Sequence, residues 1–102
     1  MNTINNLPKQ THHFLTNKNS KYTQRFESIV KKYGLTLDES WNKELMPHRG
    51  RHPNAYHDYM LDRVLEIDSI ALGNKRVFLS GFSDLKKEII SNPEMLRKSY
   101  WR

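Results

Sequence analysis

The sequence predicts an α+β fold, mostly helical, in which a short hairpin packs against one long helix. Three observations predict it. Thr11-His12-His13-Phe14-Leu15-Thr16 alternates well enough for a strand. Pro53 opens a run in which Tyr56, Met60, Val64, Ile67 and Ala71 recur along one helical side. The five histidines fall into two short stretches, His12-His13 and His48–His57, that lie on or beside these two elements.

Taken in order, residues 1–7 are polar and asparagine-rich, a loose lead-in to a motif-bearing core over about 8–72. After the first strand, Asn17 to Ser20 reads as a turn. Tyr22 to Tyr33 is then a helix, with Thr23 as its cap, Phe26, Ile29, Val30 and Tyr33 as its apolar stripe, and Gly34 as its stop. Asp38-Glu39-Ser40 is a turn leading into Trp41–Pro47, whose residues near Asn42 complete the hairpin. His48 to Pro53 is a loop, because Gly50 and Pro53 interrupt regular structure. The long helix runs from Pro53 to about Leu72 and ends at Gly73-Asn74. Val77-Phe78-Leu79 is a short apolar run, followed by a helix near Ser83–Ile90. Asn92-Pro93 breaks the chain before a short fraying helix over Glu94–Arg102.

A chain of 102 residues forms one domain, 1–102. Its hydrophobic share of 36% predicts a thin core that a metal or a partner would help to hold. The absence of cysteine excludes disulfides, thiolate zinc sites and a cysteine nucleophile, so any metal must take nitrogen and oxygen ligands. The net charge of +6 is uneven. Residues 1–52 carry nine basic and four acidic groups, and residues 53–102 carry eight and seven. A positive field on the histidine-bearing half favours a polyanion, most simply nucleic acid. No apolar stretch reaches the roughly 20 residues of a membrane span, so a membrane is not an expected partner. Met1 to Pro8 lacks the pattern of a signal peptide. The protein is therefore either cytoplasmic or carried by an export signal on a longer chain.

Neutral imidazole is the commonest metal ligand and the general base best suited to neutral pH. Inside one helix, His52 and His57 would lie about 140° apart and could not share an ion. Pro53 keeps His52 extended and ahead of the helix, from where its side chain can swing towards His57. On a strand, His12 and His13 face opposite sides, which gives the doublet two different jobs. A divalent ion with few ligands beside an unliganded histidine suits phosphodiester hydrolysis, with the free histidine taking a proton from water. Asparagine can orient that base, and arginine can hold the phosphate bidentately; Asn42, Arg49 and Arg51 stand in position to do so.

The blocks Thr11-His12-His13, Trp41-Asn42-Lys43-Glu44-Leu45-Met46-Pro47-His48 and Gly50-Arg51-His52-Pro53-Asn54-Ala55-Tyr56-His57 resemble the ββα-metal (His-Me finger) nucleases of the HNH and endonuclease VII superfamily. More narrowly they resemble its AHH-type branch, found at the C-terminus of bacterial polymorphic toxins, including the LXG type. The resemblance spans roughly residues 8–66. It implies that His12 and His57 are metal ligands, His13 the general base and Asn42 the central orienting asparagine. His52 is expected as a further ligand and His48 as a phosphate or leaving-group contact, with Arg49 and Arg51 binding substrate. The ion would be zinc, magnesium, manganese or nickel, although magnesium prefers oxygen. A toxin domain of this kind would be secreted within a larger effector, act in the target-cell cytoplasm, and meet a cognate immunity protein. Two departures are Thr11 in place of the branch's alanine and a helix inserted between His13 and Asn42.

Other residues have simpler readings. Trp41 is read as a core lid in preference to a base-stacking platform, and Tyr56, Phe78 and Phe82 as core. Tyr59 flanks His57 beside them. Lys31-Lys32 and Lys86-Lys87 read as solvated helix faces. Asp58 and Asp62 are carboxylates near enough in sequence to orient a ligand imidazole. The sequence does not separate DNA from RNA as substrate, so a ribonuclease of the same fold stands as an alternative. So does a non-catalytic nucleic-acid-binding module with a structural zinc, although four closed ligands, cysteine usually among them, would suit that better.

Overall fold

The structure is a computed structural model that describes residues 9–47 and 52–101. The lead-in expected over residues 1–7, and the candidate residues His48, Arg49 and Arg51, lie outside the described residues. The architecture is α+β. Strand β1 (Lys9–His13) pairs antiparallel with β2 (Lys43–Pro47), His12 opposite Glu44 and His13 opposite Lys43. Helix α1 (Thr23–Lys31) lies between the two strands in sequence, and α2 (Asn54–Ala71) and α3 (Lys75–Ser91) follow. Short 3-10 turns over Ser40–Asn42, Pro93–Leu96 and Lys98–Trp101 complete the fold. No described helix is long and apolar enough to cross a membrane.

The first strand stops earlier than its pattern predicts, at His13 instead of Thr16. Phe14 and Leu15 stay buried but leave the ladder. The Phe14 N–H donates to the Asn42 carbonyl, and the Leu15 N–H donates to the Asn42 side chain at 2.8 Å. A side-chain amide thus takes over the pairing that a longer strand would have made.

The stripe Phe26, Ile29, Val30, Tyr33 is buried as its spacing requires. Thr23 does not cap α1: its hydroxyl donates to the Thr16 carbonyl and accepts from the Asn19 N–H, holding the preceding turn instead. The helix ends at Lys31, and the turn after it closes at Gly34, whose φ of +69° is a left-handed conformation that glycine adopts without strain. The Leu35 N–H reaching back to Val30 O closes that end.

On α2, Tyr56, Met60, Val64, Ile67 and Ala71 are all buried. The apolar run at 77–79 and the helix expected at 83–90 are one helix. Phe78, Phe82, Leu85 and Ile89 form a single buried stripe that passes straight through Gly81. Glycine there allows close packing, since a β-carbon would stand 3.0 Å from Ile67 Cγ2. Asn74 caps this helix by accepting from the Val77 N–H. The C-terminal segment is two 3-10 turns and not one short helix, because Arg97 is extended between them. Met95 and Leu96 anchor it in the core.

Candidate active site

The alternation of β1 separates the two adjacent histidines. His12 is buried, with 6% of its surface exposed, while His13 is half-buried on the other face. The inward side gathers imidazoles from three places in the chain. His12 Nδ1 lies 3.0 Å from His52 Nε2, and their rings meet edge-on at 4.7 Å. His57, from the second turn of α2, is buried with its ring 6.3 Å from that of His52 and 5.1 Å from Tyr22. Pro53, with φ −73° and ψ 156°, places His52 just ahead of the helix, so the two histidines lie on one side as the sequence requires for convergence.

Tyr56 determines which nitrogen of His12 is bare. Its hydroxyl donates its one proton to the Phe14 carbonyl at 2.9 Å, and its oxygen lies 3.4 Å from His12 Nε2. With that proton spent, His12 Nε2–H is the donor of the pair, and the Nδ1 lone pair faces His52. Burial, then the nearby imidazoles of His52, His13 and His57, lowers the pKa of His12 to about 3. Burial and His52, opposed by Asp58, lower that of His57 to about 4. Both rings are therefore neutral at physiological pH, the form that binds metal.

Two imidazole nitrogens bound to one ion at about 2 Å stand about 3.3 Å apart in a tetrahedral site. The His12–His52 separation is close to that. His57 Nδ1 is buried without a hydrogen-bond partner among the described residues, an expensive state for a polar atom unless something binds it. Among the described residues no group of three histidine or carboxylate side chains is gathered as a finished metal site. The fit to a metal rests on this pair, on the orphaned His57 nitrogen and on the all-nitrogen donor set.

His13 belongs to a different cluster. Its Nε2 is 3.0 Å from Asp38 Oδ1, and Lys43 Nζ approaches the same carboxylate oxygen at 3.7 Å. The hydrogen bond with His13, followed by the charge of Lys43, holds the Asp38 carboxyl below its ordinary pKa. Asn42, expected to orient the base by contact, bonds elsewhere. It is fully buried; its Oδ1 accepts from the Leu15 N–H, and its Nδ2 donates to the Leu15 and Leu37 carbonyls, both at 2.9 Å. It therefore ties the chain just after His13 to the chain just before Asp38. The carboxylate that meets His13 is Asp38, a turn residue that no local pattern distinguishes.

Other residues singled out in the sequence, where described, mostly make contacts that hold the fold. Trp41 donates through Nε1 to the Thr36 carbonyl and packs edge-on against Phe82, so it is a lid on the core. Tyr59 joins Glu88 and Arg63 in a hydrogen-bonded group. Asp58 accepts from the Tyr22 hydroxyl at 2.6 Å and, among the described residues, orients no imidazole through a hydrogen bond, and Asp62 is exposed. Lys32 is paired with Asp68 at 2.5 Å, and the Lys86 ammonium lies over the Phe14 ring, so neither is a purely solvated charge. Beside His52 and His57 a cleft of about 960 Å³ opens, also lined by Lys18, Lys98 and Trp101.

A family model described as "AHH: A nuclease family of the HNH/ENDO VII superfamily with conserved AHH" matches residues 2–89. No curated protein and no solved structure matches the chain.

Proposed function

The chain belongs to the AHH nuclease family of the HNH/endonuclease VII superfamily, and from that premise we propose that it is a divalent-metal-dependent endonuclease, the toxin domain of a larger exported effector. The family makes the protein a nuclease and nucleic acid its substrate. The observation that carries the metal-dependent reading is the approach of His12 Nδ1 and His52 Nε2 to 3.0 Å, together with the buried His57 Nδ1 that has no hydrogen-bond partner among the described residues.

In this reading His12, His52 and His57 hold the ion. When bound, it supplies the positive charge that polarises the phosphate and eases departure of the leaving oxygen. His13 is the general base: its imidazole takes the proton from the attacking water, while Asp38 fixes the ring by accepting from it. Tyr56 fixes the His12 ring in the same way from behind. Asn42 acts at one remove, by clamping the backbone on both sides of the His13–Asp38 contact. His48, Arg49 and Arg51, which precede His52 in the sequence, are assigned to the phosphate and the leaving group.

Such an enzyme harms any cell that makes it. We assign it to the target-cell cytoplasm after export, and pair it with an immunity protein whose acidic face covers the basic half of the chain. The decisive experiment incubates purified protein with plasmid and with total RNA, in EDTA and after adding zinc, nickel, manganese or magnesium. Cleavage that EDTA abolishes and one of these ions restores is expected. Cleavage undiminished in EDTA would remove the metal from the mechanism, and a folded, metal-loaded protein that cuts neither substrate would overturn the nuclease reading. In bacteria, unprotected wild-type expression should be toxic and His13→Ala expression tolerated.

A further inference from the structure

We propose that the cleft beside His52 and His57 seats an unpaired polynucleotide strand, with Lys18 and Lys98 on its phosphates and Trp101 stacked on a base. The proposal deepens the nuclease reading of this site and rests on it for the choice of a polynucleotide. At about 960 Å³ the cleft is at the upper end of the roughly 300–1,000 Å³ typical of sites that enclose one small molecule. That leaves room for a short run of nucleotides.

Its chemistry suits that ligand. One wall is the start of α2, where Asn54 and Ala55 line the cleft. Pro53 gives that helix no side-chain cap, and its first turn carries no acidic residue, so its positive end stays open to an anion. His57 adds a buried nitrogen with no hydrogen-bond partner among the described residues. Lys18 and Lys98 are exposed, and among the described residues no carboxylate pairs with either.

Further lining comes from Lys98 and Trp101 of the C-terminal turn Lys98–Trp101, which lies beyond the residues matched by the family. Trp101 is held there as a rigid plate. Its Nε1 donates to the Met95 carbonyl at 2.8 Å, and Tyr59 and Tyr100 pack against its ring at 5.3 and 4.8 Å. A tryptophan already fixed in place costs little further entropy when a base lies on it, and every base offers a face for stacking. In a duplex the neighbouring pairs cover those faces. The plate therefore selects a single strand, a strand end or an extruded nucleotide.

The test needs no cleavage and is run in EDTA. In a Trp41→Phe background Trp101 is the sole tryptophan, and its emission is followed as oligomers of about twelve nucleotides, dT or rU, or a duplex of equal length, are added. Fluorescence anisotropy of labelled oligomers gives the affinities of the wild-type chain independently. Single strands should quench Trp101 and bind at least about tenfold more tightly than the duplex. Lys18→Ala and Lys98→Ala should each flatten the dependence of log affinity on log salt by about 0.7. Unchanged Trp101 emission, equal affinity for duplex and single strand, or an unchanged salt slope in the double lysine variant would overturn the proposal. Cleavage by metal-loaded protein alongside such a failure would leave the nuclease reading standing. Binding as described without any metal-dependent cleavage would instead remove the nuclease reading and keep the seat.

Discussion

His12 Nδ1 and His52 Nε2 stand 3.0 Å apart, although forty residues separate them in the chain. Two largely buried imidazoles this close make a useful hydrogen bond only while one of them lacks a proton between them, and Tyr56 ensures that His12 Nδ1 is the bare nitrogen. The arrangement has one lone pair preset to accept either a proton from His52 or a metal ion.

The first prediction follows from that choice. Adding a divalent ion that takes the place of the His12–His52 hydrogen bond should raise Tm, by linkage worth about 2.7 kcal/mol when the free ion is at a hundred times its Kd. His57→Ala should reduce metal content, this metal-induced rise in Tm and cleavage together. Normal cleavage by His57→Ala would show that the helix histidine is not a ligand.

The second prediction concerns pH in the absence of metal. In the unfolded chain the imidazoles of His12 and His57 titrate at the ordinary 6.5, whereas in the folded chain burial lowers them to about 3 and about 4. Above pH 6.5 neither state binds these protons and the stability is fully present. As pH falls from 6.5 towards 4 the unfolded chain takes up protons that the folded chain refuses, so stability declines, by up to about 1.4 kcal/mol per pH unit for each of the two rings. Below about 3 both states are protonated and this contribution is gone. Denaturant titrations of metal-free protein at a series of pH values measure the slope, and His12→Gln should flatten it. A flat profile in the parent would mean that these rings are hydrated.

The features legible in the sequence were those with a strong local period. Tyr56, Met60, Val64, Ile67 and Ala71 repeat over about four helical turns, and Pro53 marks their start, so α2 and the position of His52 ahead of it followed directly. The opposite facing of His12 and His13 followed from strand alternation. What escaped depends on contacts between distant segments. Asn42 bonds Leu15 across 27 residues, and His13 meets Asp38 across 25. Neither pairing leaves a local trace, since a buried asparagine and a turn aspartate look ordinary in sequence. The run at 77–79 and the helix expected after it are one element, and between them stands Gly81. Its cost to a helix is real, but contact with Ile67 decides the local structure. Trp101 became part of a cleft wall only because Met95 and Tyr59 hold it there.

The third prediction tests the clamp. Asn42→Ala strips a partner from the Leu15 N–H and from the Leu15 and Leu37 carbonyls, in a fully buried place. Each buried polar group left unpaired costs about 1–3 kcal/mol, so the loss should be about 3 kcal/mol or more. For a domain of this size that lowers Tm by at least about 12 °C. Cleavage should fall even well below the new Tm, because the frame around His13 and Asp38 is released. A variant with wild-type Tm would show that water replaces the amide at no cost.

The fourth prediction separates the two members of the doublet. His13 is half-buried and paired with Asp38, whereas His12 is buried among other imidazoles and Tyr56. If His13 is the general base, His13→Ala should keep metal content and oligonucleotide affinity near wild type while cutting kcat by about 100- to 10,000-fold. His12→Ala should lose metal as well as activity. Asp38→Asn keeps the shape of the side chain but removes the carboxylate charge that His13 meets, so kcat should fall by about tenfold with KM little changed, a size usual for groups that orient a functional imidazole. A purely structural role for Asp38 would instead appear as a lower Tm with kcat retained. Metal analysis, thermal melting and steady-state cleavage of the three variants give the answer. Full-rate cleavage by His13→Ala alone would exchange the roles within the doublet, and full-rate cleavage by both histidine variants would place the chemistry outside β1 altogether.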